Sequence, residues 1–211
     1  MDSIDDLIQN LSSEAAAIKQ APRPLMLSLG WIAAASVFLT VSLWVSGVRS
    51  DVMQKFYEPW FDIELGCLLM IFLATTVSAA VLAFPDLYQK KILALSPLGF
   101  FLLFVVVLFY SWRADSPPAP FPVHSFECTC SITLFSFLPA VWTFYSMRKY
   151  ASTHYRWAGS IALLSAFSMG AIWLRLHEVN DSVTHVIEWH YLPMLGIGLV
   201  GWWLGGRVLK W

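Results

Sequence analysis

The chain has 211 residues, 58% of them hydrophobic and only 13% charged, with a formal net charge of −1. Soluble domains carry about 25% charged residues, and a chain this short cannot hide that much apolar surface within its own fold, so lipid must cover much of it. The near-neutral balance excludes the broad basic field that nucleic-acid binding uses.

Residues 1–24 form a mostly polar tail. Ser3 with Asp6 three positions on makes a capping-box arrangement, and Asp5 and Asp6 suit the first-turn dipole of a helix. Ile4, Leu7, Ile8, Leu11, Ala15 and Ile18 recur at helical spacing and predict one apolar stripe. So short a helix is marginal alone in water, and its stripe needs a partner. Three readings are open: docking into a groove of a soluble partner, packing on the chain's own loops, or lying on the membrane. The last is disfavoured because the polar face carries Asp2, Asp5, Asp6 and Glu14 against Lys19 and Arg23. The tail is too polar and the next apolar run too long for a cleaved signal peptide.

Six apolar runs follow, over 25–46, 61–84, 92–112, 127–147, 158–176 and 189–209. Each approaches the ~20 residues that cross a hydrocarbon core, and backbone in hydrocarbon must bond within its own helix. Gly159, Gly170, Gly196, Gly198 and Gly201 in the last two runs predict close helix contact. Nine Lys and Arg fall on the side of both termini: Lys19, Arg23, Lys90, Lys91, Arg148, Lys149, Arg156, Arg207 and Lys210. Four fall on the other: Arg49, Lys55, Arg113 and Arg175. The positive-inside rule then predicts both termini in the cytoplasm.

The opposite side holds the residues capable of chemistry. His124, His177, His185 and His190 gather there with all three cysteines, and the stretch 116–122 reads as a rigid proline-rich loop. Cys128 and Cys130, two apart on a helix, face nearly opposite ways and are poorly placed to bridge each other. Cys67 on the second run enters from the same side and becomes a neighbour of one of them if runs two and four pack. Cys128 stands at a helix start, which favours a reactive thiolate. The helix leading into run six, capped by Asn180 or Asp181, puts His185, Glu188 and Trp189 on one face. With His177, Glu178, His190 and the thiols, these residues can be drawn together as a soft-metal or sensing cluster, although no tight zinc spacing is present. Glu64, just inside a run, requires a partner such as Arg175, His177 or His190. The sequence contains no P-loop, GxGxxG, nucleophile elbow or HExxH, and reads as a non-enzyme.

Several segments occur in a telling order. They are residues 7–15 before the first run, Ser125-Phe126-Glu127-Cys128 opening the fourth and Leu138-Pro139 within it, and Met147-Arg148-Lys149 at its end. Leu176-His177 and Asp181-Ser182 follow the fifth, Trp189-His190 opens the sixth, and Leu209-Lys210-Trp211 closes the chain. In this order they resemble the NrsF-like family, six-span inner-membrane anti-sigma factors of Gram-negative bacteria. The resemblance implies a protein that holds an extracytoplasmic-function sigma factor at the membrane and releases it under oxidative or heavy-metal stress, with periplasmic cysteines involved in sensing. Cys128 matches the thiol of the family's Ser-x-Glu-Cys segment. The family's second common cysteine follows the histidine after span five, and here that place is Glu178.

The expectation is therefore an all-α, polytopic bundle of six transmembrane helices with a short cytoplasmic N-terminal amphipathic helix, in the bacterial inner membrane. Cys128, Cys130 and Cys67 are the expected sensing thiols. His177, Glu178, His185, Glu188 and His190 are the sensing or metal cluster. Ile4, Asp5, Leu7, Ile8 and Leu11 are the expected sigma-binding residues. No resident cofactor is expected beyond a transient heavy-metal ion. The expected partners are the sigma factor, the bilayer and a second copy in a homodimer, with no direct nucleic-acid contact. A thiol oxidoreductase working with quinone and a metal-binding or transport protein are the alternatives from other classes.

Overall fold

A computed structural model of the chain describes residues 4–14, 22–85, 90–114 and 125–210. Regular structure among these residues is helical throughout. In chain order the helices are α1 (Ile4–Glu14), α2 (Pro24–Ser46), the short α3 (Val52–Lys55), α4 (Pro59–Leu82), α5 (Lys91–Ala114), α6 (Phe126–Met147), α7 (Tyr155–His177), the single turn α8 (Val183–His185), a π-helix (Val186–Tyr191) and α9 (Pro193–Val208). Proline opens α2, α4 and α9, where its missing N–H would have had no helical acceptor. Gly47 ends α2 at φ 84°, a conformation that a side chain would strain.

Five helices, α2, α4, α5, α6 and α7, are long and apolar enough to cross a membrane. The sixth expected span, 189–209, takes a different form. Its first part is the π-helix, and α9 contributes 16 residues of α-helix after it. The cause is Pro193, which has no N–H to give the carbonyl of Trp189 four residues back. That carbonyl instead accepts the hydroxyl of Thr129 from α6 at 2.6 Å, and Leu192 N–H donates five residues back to Ile187 C=O at 2.8 Å. The expected caps also differ. Asn180 accepts from Ser182 N–H in a local turn, and Asp181 is drawn away into ion pairs.

α7 is the central helix, with 78% of its most apolar window buried inside the protein against 11% for α2. Small side chains make this possible. At Gly159 an added Cβ would stand 2.3 Å from the Gly201 carbonyl oxygen, and at Gly205 2.2 Å from that of Tyr155. α7 and α9 therefore meet backbone to backbone, the arrangement small residues permit in lipid. Hydroxyls tie the packed helices together: Ser160 donates to Gly198 C=O, Ser78 to Ala94 C=O, and Thr76 pairs with Ser165. Leu68, Ile71, Phe104, Ile132, Phe167 and Met169 fill the core toward one end of the bundle. Trp44, Ile92, Leu134 and Leu199 stand on the outer surface, suited to acyl chains.

In α1, Ile4 and Ile8 are exposed. The side chains of Asp5, Leu7, Leu11 and Glu14 lie outside the described residues. So do Ser3, Ala15, Ile18, Lys19, the 116–122 loop and His124.

Candidate functional site

At one end of the bundle α2, α5 and α7 finish while α4 and α6 begin, and two polar clusters lie there side by side. The first is an ion-pair network. The Arg49 guanidinium grips Asp51 at 2.7 and 2.9 Å and Asp181 at 2.9 and 2.7 Å. Arg175 grips Glu64 at 3.0 and 3.1 Å and Asp181 at 2.6 Å. Lys55 Nζ reaches Asp181 at 2.9 Å, and the Tyr191 hydroxyl donates to Glu64 Oε1. Both guanidinium groups also face the ring of Phe61, at 5.6 and 4.9 Å from its centroid. Burial works against an ionised Asp181, but Arg49, Lys55 and Arg175 overcome it and hold this carboxyl well below the usual carboxylate range. Glu64 has thus taken Arg175 from its three expected partners.

The second cluster is built by three elements: Cys128 in the first turn of α6, Glu178 just past the end of α7, and His185 with His190 on α8 and the π-helix. One ligand-capable atom from each lies within 4.8 Å of all the others. The Glu178 carboxylate sits between the imidazoles, with Oε1 3.2 Å from His185 Nε2 and Oε2 3.0 Å from His190 Nε2. The Cys128 thiol reaches Glu178 Oε1 at 3.5 Å and His185 Nε2 at 3.7 Å. His185 and His190 are fully enclosed, at 1% and 0% exposure. The 3.0 Å approach of His190 to Glu178 is misaligned for a hydrogen bond. Glu178 Oε2, both ring nitrogens of His190 and Nδ1 of His185 have no hydrogen-bond partner among the described residues.

The π-helix explains the pairing of the histidines. Five residues along an α-helix are about 1.4 turns, which would point His185 and His190 well apart. A π-turn closes on the fifth residue and returns it to nearly the same face, so the two rings meet at 5.2 Å between centroids. This overturns the expected α-helical face of His185, Glu188 and Trp189. Glu188 points instead into an apolar groove with Phe101, Leu108, Trp112 and Leu192.

Electrostatics keep His185 and Glu178 in ligating forms. Burial lowers His185 from its ordinary value and outweighs the attraction of Glu178, so the ring favours its neutral form. Burial would raise Glu178, but the opposing pull of His190 and His185 leaves it lowered and ionised.

Of the expected cluster, Glu178, His185 and His190 come together with Cys128. His177 does not join them. Its ring stacks on Trp173 and its Nδ1 donates to Gly47 C=O at 2.8 Å, fastening α7 to the exit of α2. Cys67 packs beside the apolar core, and Cys130 stands outside the four-residue group. All three thiols are unbridged. Sequence reasoning missed Arg49 and Thr129. Arg49 counted only as one of four cations on its side, and nothing local marks Thr129 as a carbonyl's partner.

A family model described as NrsF, negative regulator of sigma F, matches residues 11–211. The chain belongs to the NrsF family. It is thus a regulator acting on a sigma factor, built on membrane-type helices. No curated protein and no solved structure shows significant similarity to it. The NrsF match takes in both polar clusters and begins within α1, so Ile4, Asp5, Leu7 and Ile8 precede it and Leu11 is its first residue.

Proposed function

We propose that the chain is an inner-membrane anti-sigma factor that sequesters an extracytoplasmic-function sigma factor and releases it on a periplasmic redox or heavy-metal signal. The family match over residues 11–211 carries this reading. The charge distribution supports its direction. Arg148, Lys149, Arg156, Arg207 and Lys210 share the end opposite the Cys128 cluster, and clustered cations mark the cytoplasmic face. The sensing residues then face the periplasm. Ile4 and Ile8, exposed on α1, are suited to a groove on the sigma factor, with Asp5, Leu7 and Leu11 completing the stripe. Of the two signals, metal is favoured over thiol oxidation, because Cys128 meets a carboxylate and an imidazole rather than a second thiol.

Co-purification tests the reading. The tagged full chain, extracted in detergent from its native cells, should carry a sigma factor, and a variant lacking residues 1–14 should not. Capture by the truncated variant would remove α1 from the docking surface. An empty full-length preparation would remove sequestration itself. A membrane-impermeant maleimide should leave Asp2→Cys unlabelled in intact cells if the tail is cytoplasmic.

A further inference from the structure

We propose that Cys128, Glu178, His185 and His190 form a four-ligand site for one divalent transition-metal ion, with zinc the best-matched species. The site deepens the heavy-metal reading above and rests on it for its signalling role, while ion binding itself is tested without the sigma factor.

The geometry comes first. A tetrahedral ion about 2.0–2.3 Å from nitrogen, oxygen and sulfur donors holds those donors roughly 3.3–3.7 Å apart. Four of the contacts here are 3.0 Å through Glu178 Oε2, 3.2 and 3.5 Å through Oε1, and 3.7 Å between Cys128 and His185, with one donor from each residue within 4.8 Å of the others.

The unpaired atoms are the second and independent observation. Burying imidazole nitrogens and a carboxylate oxygen without hydrogen bonds is costly. His190 is fully buried, neither ring nitrogen makes an aligned hydrogen bond among the described residues, and Nε2 lies 3.0 Å from Glu178 Oε2. An ion bound by the Nε2 atoms of both histidines and by Glu178 would satisfy His190 Nε2 and Glu178 Oε2, two of these atoms, while each Nδ1 carries the ring proton.

Donor chemistry selects the ion. One sulfur, two imidazoles and one carboxylate suit zinc and its neighbours, whereas magnesium and calcium require oxygen sets. On binding, the Cys128 thiol gives its proton to solvent and the sulfur–metal bond forms with no change of oxidation state. The ion's two positive charges then meet one thiolate and one carboxylate, so the filled site is electroneutral, which a low-dielectric location favours. Glu178 retains 21% side-chain exposure, which leaves a way in for the ion. The ion would join the start of α6, the end of α7 and the π-helix in one knot, which makes its occupancy a means of fixing how α6 packs.

The test uses the full chain in detergent, stripped by chelator, with cobalt as a spectroscopic probe, in a Cys67→Ser/Cys130→Ser background that leaves Cys128 as the sole thiol. Cobalt should bind one per chain with the intense visible bands of tetrahedral coordination and a near-ultraviolet thiolate-to-cobalt band. Zinc should displace it, and one proton should be released per ion. Cys128→Ser should abolish the thiolate band and weaken binding beyond the about 10–100-fold that outer-shell changes cost. Glu188→Gln, outside the cluster, should leave the spectrum unchanged. Absence of saturable binding, weak octahedral bands, or a spectrum indifferent to Cys128→Ser would each overturn the site. Should Cys128→Ser fail to fold, maleimide labelling of Cys128 in the background protein decides: zinc must protect the thiol, and undiminished labelling refutes the proposal.

Discussion

Glu178 and Asp181 are three residues apart in one loop, yet they serve two clusters with opposite states of satisfaction. Asp181 is bonded by Arg49, Arg175 and Lys55, and the surrounding carboxylates and guanidinium groups are paired on nearly every side. Around Glu178, four polar atoms are buried without an aligned hydrogen bond among the described residues, although Glu178 Oε2 and His190 Nε2 lie 3.0 Å apart. A saturated network locks helices and can do little else. An unsaturated one, held open by a π-turn, retains the capacity to bind something. π-turns inside helices recur at functional sites.

The contrast breaks most sharply at the saturated cluster. Asp181→Ala strips a carboxylate from two guanidinium groups whose side chains are 0% and 6% exposed. Leaving buried cations short of a partner should cost about 3 kcal/mol, read as a large fall in the thermal midpoint in detergent, with no loss of metal binding beyond what unfolding explains. The unsaturated cluster should behave in reverse. Zinc at 100 times its dissociation constant should stabilise the protein by about 2.7 kcal/mol through binding the native state alone. His190→Gln should erase that gain while changing the metal-free midpoint less than Asp181→Ala does. Should zinc stabilise His190→Gln as strongly as the parent chain, the two clusters would not differ in the way described.

Acid separates them by window. His185 has a lowered value in the folded protein, so the unfolded chain binds its proton more readily. Its contribution is full above about pH 6.5, the unfolded value, and is lost as the pH falls through the folded value. Asp181 is also lowered, but from a carboxylate reference. Its contribution is intact above about pH 4 and declines only below that. Thermal midpoints followed from pH 8 to pH 3 should therefore show a smaller upper step and a later, steeper fall. His185→Gln should remove the upper step alone.

How much of this could be read beforehand depends on range. Five spans are written into runs of twenty-odd apolar residues, which hydrocarbon thickness converts into helices almost without reference to tertiary structure. The run at 189–209 hid its break because Pro193 looks like an ordinary helix opener. The carbonyl that Pro193 leaves free at Trp189 is taken by Thr129, sixty residues away. Cys128, Glu178, His185 and His190 were legible as residue types gathered on one side. Their selection from a longer candidate set was not, since His177 is excluded by a glycine carbonyl at the far end of α2. The Arg49 network was illegible for the same reason: its partners lie 2 and 132 positions away.

Lys55 sets the lower limit of the comparison. It belongs to the saturated cluster by contact, reaching Asp181 at 2.9 Å and Glu58 at 2.7 Å, but it sits at the rim, where Glu58 is 58% exposed. Water screens such a pair, and Arg49 and Arg175 still hold Asp181 when Lys55 is gone. Lys55→Gln should therefore cost only about 0.5 kcal/mol, an effect that fades further as added salt shortens the screening length. The buried pairs of the same network should be nearly indifferent to salt, so a midpoint difference between Lys55→Gln and the parent chain that persists at 1 M salt would place Lys55 among the buried members rather than at the edge.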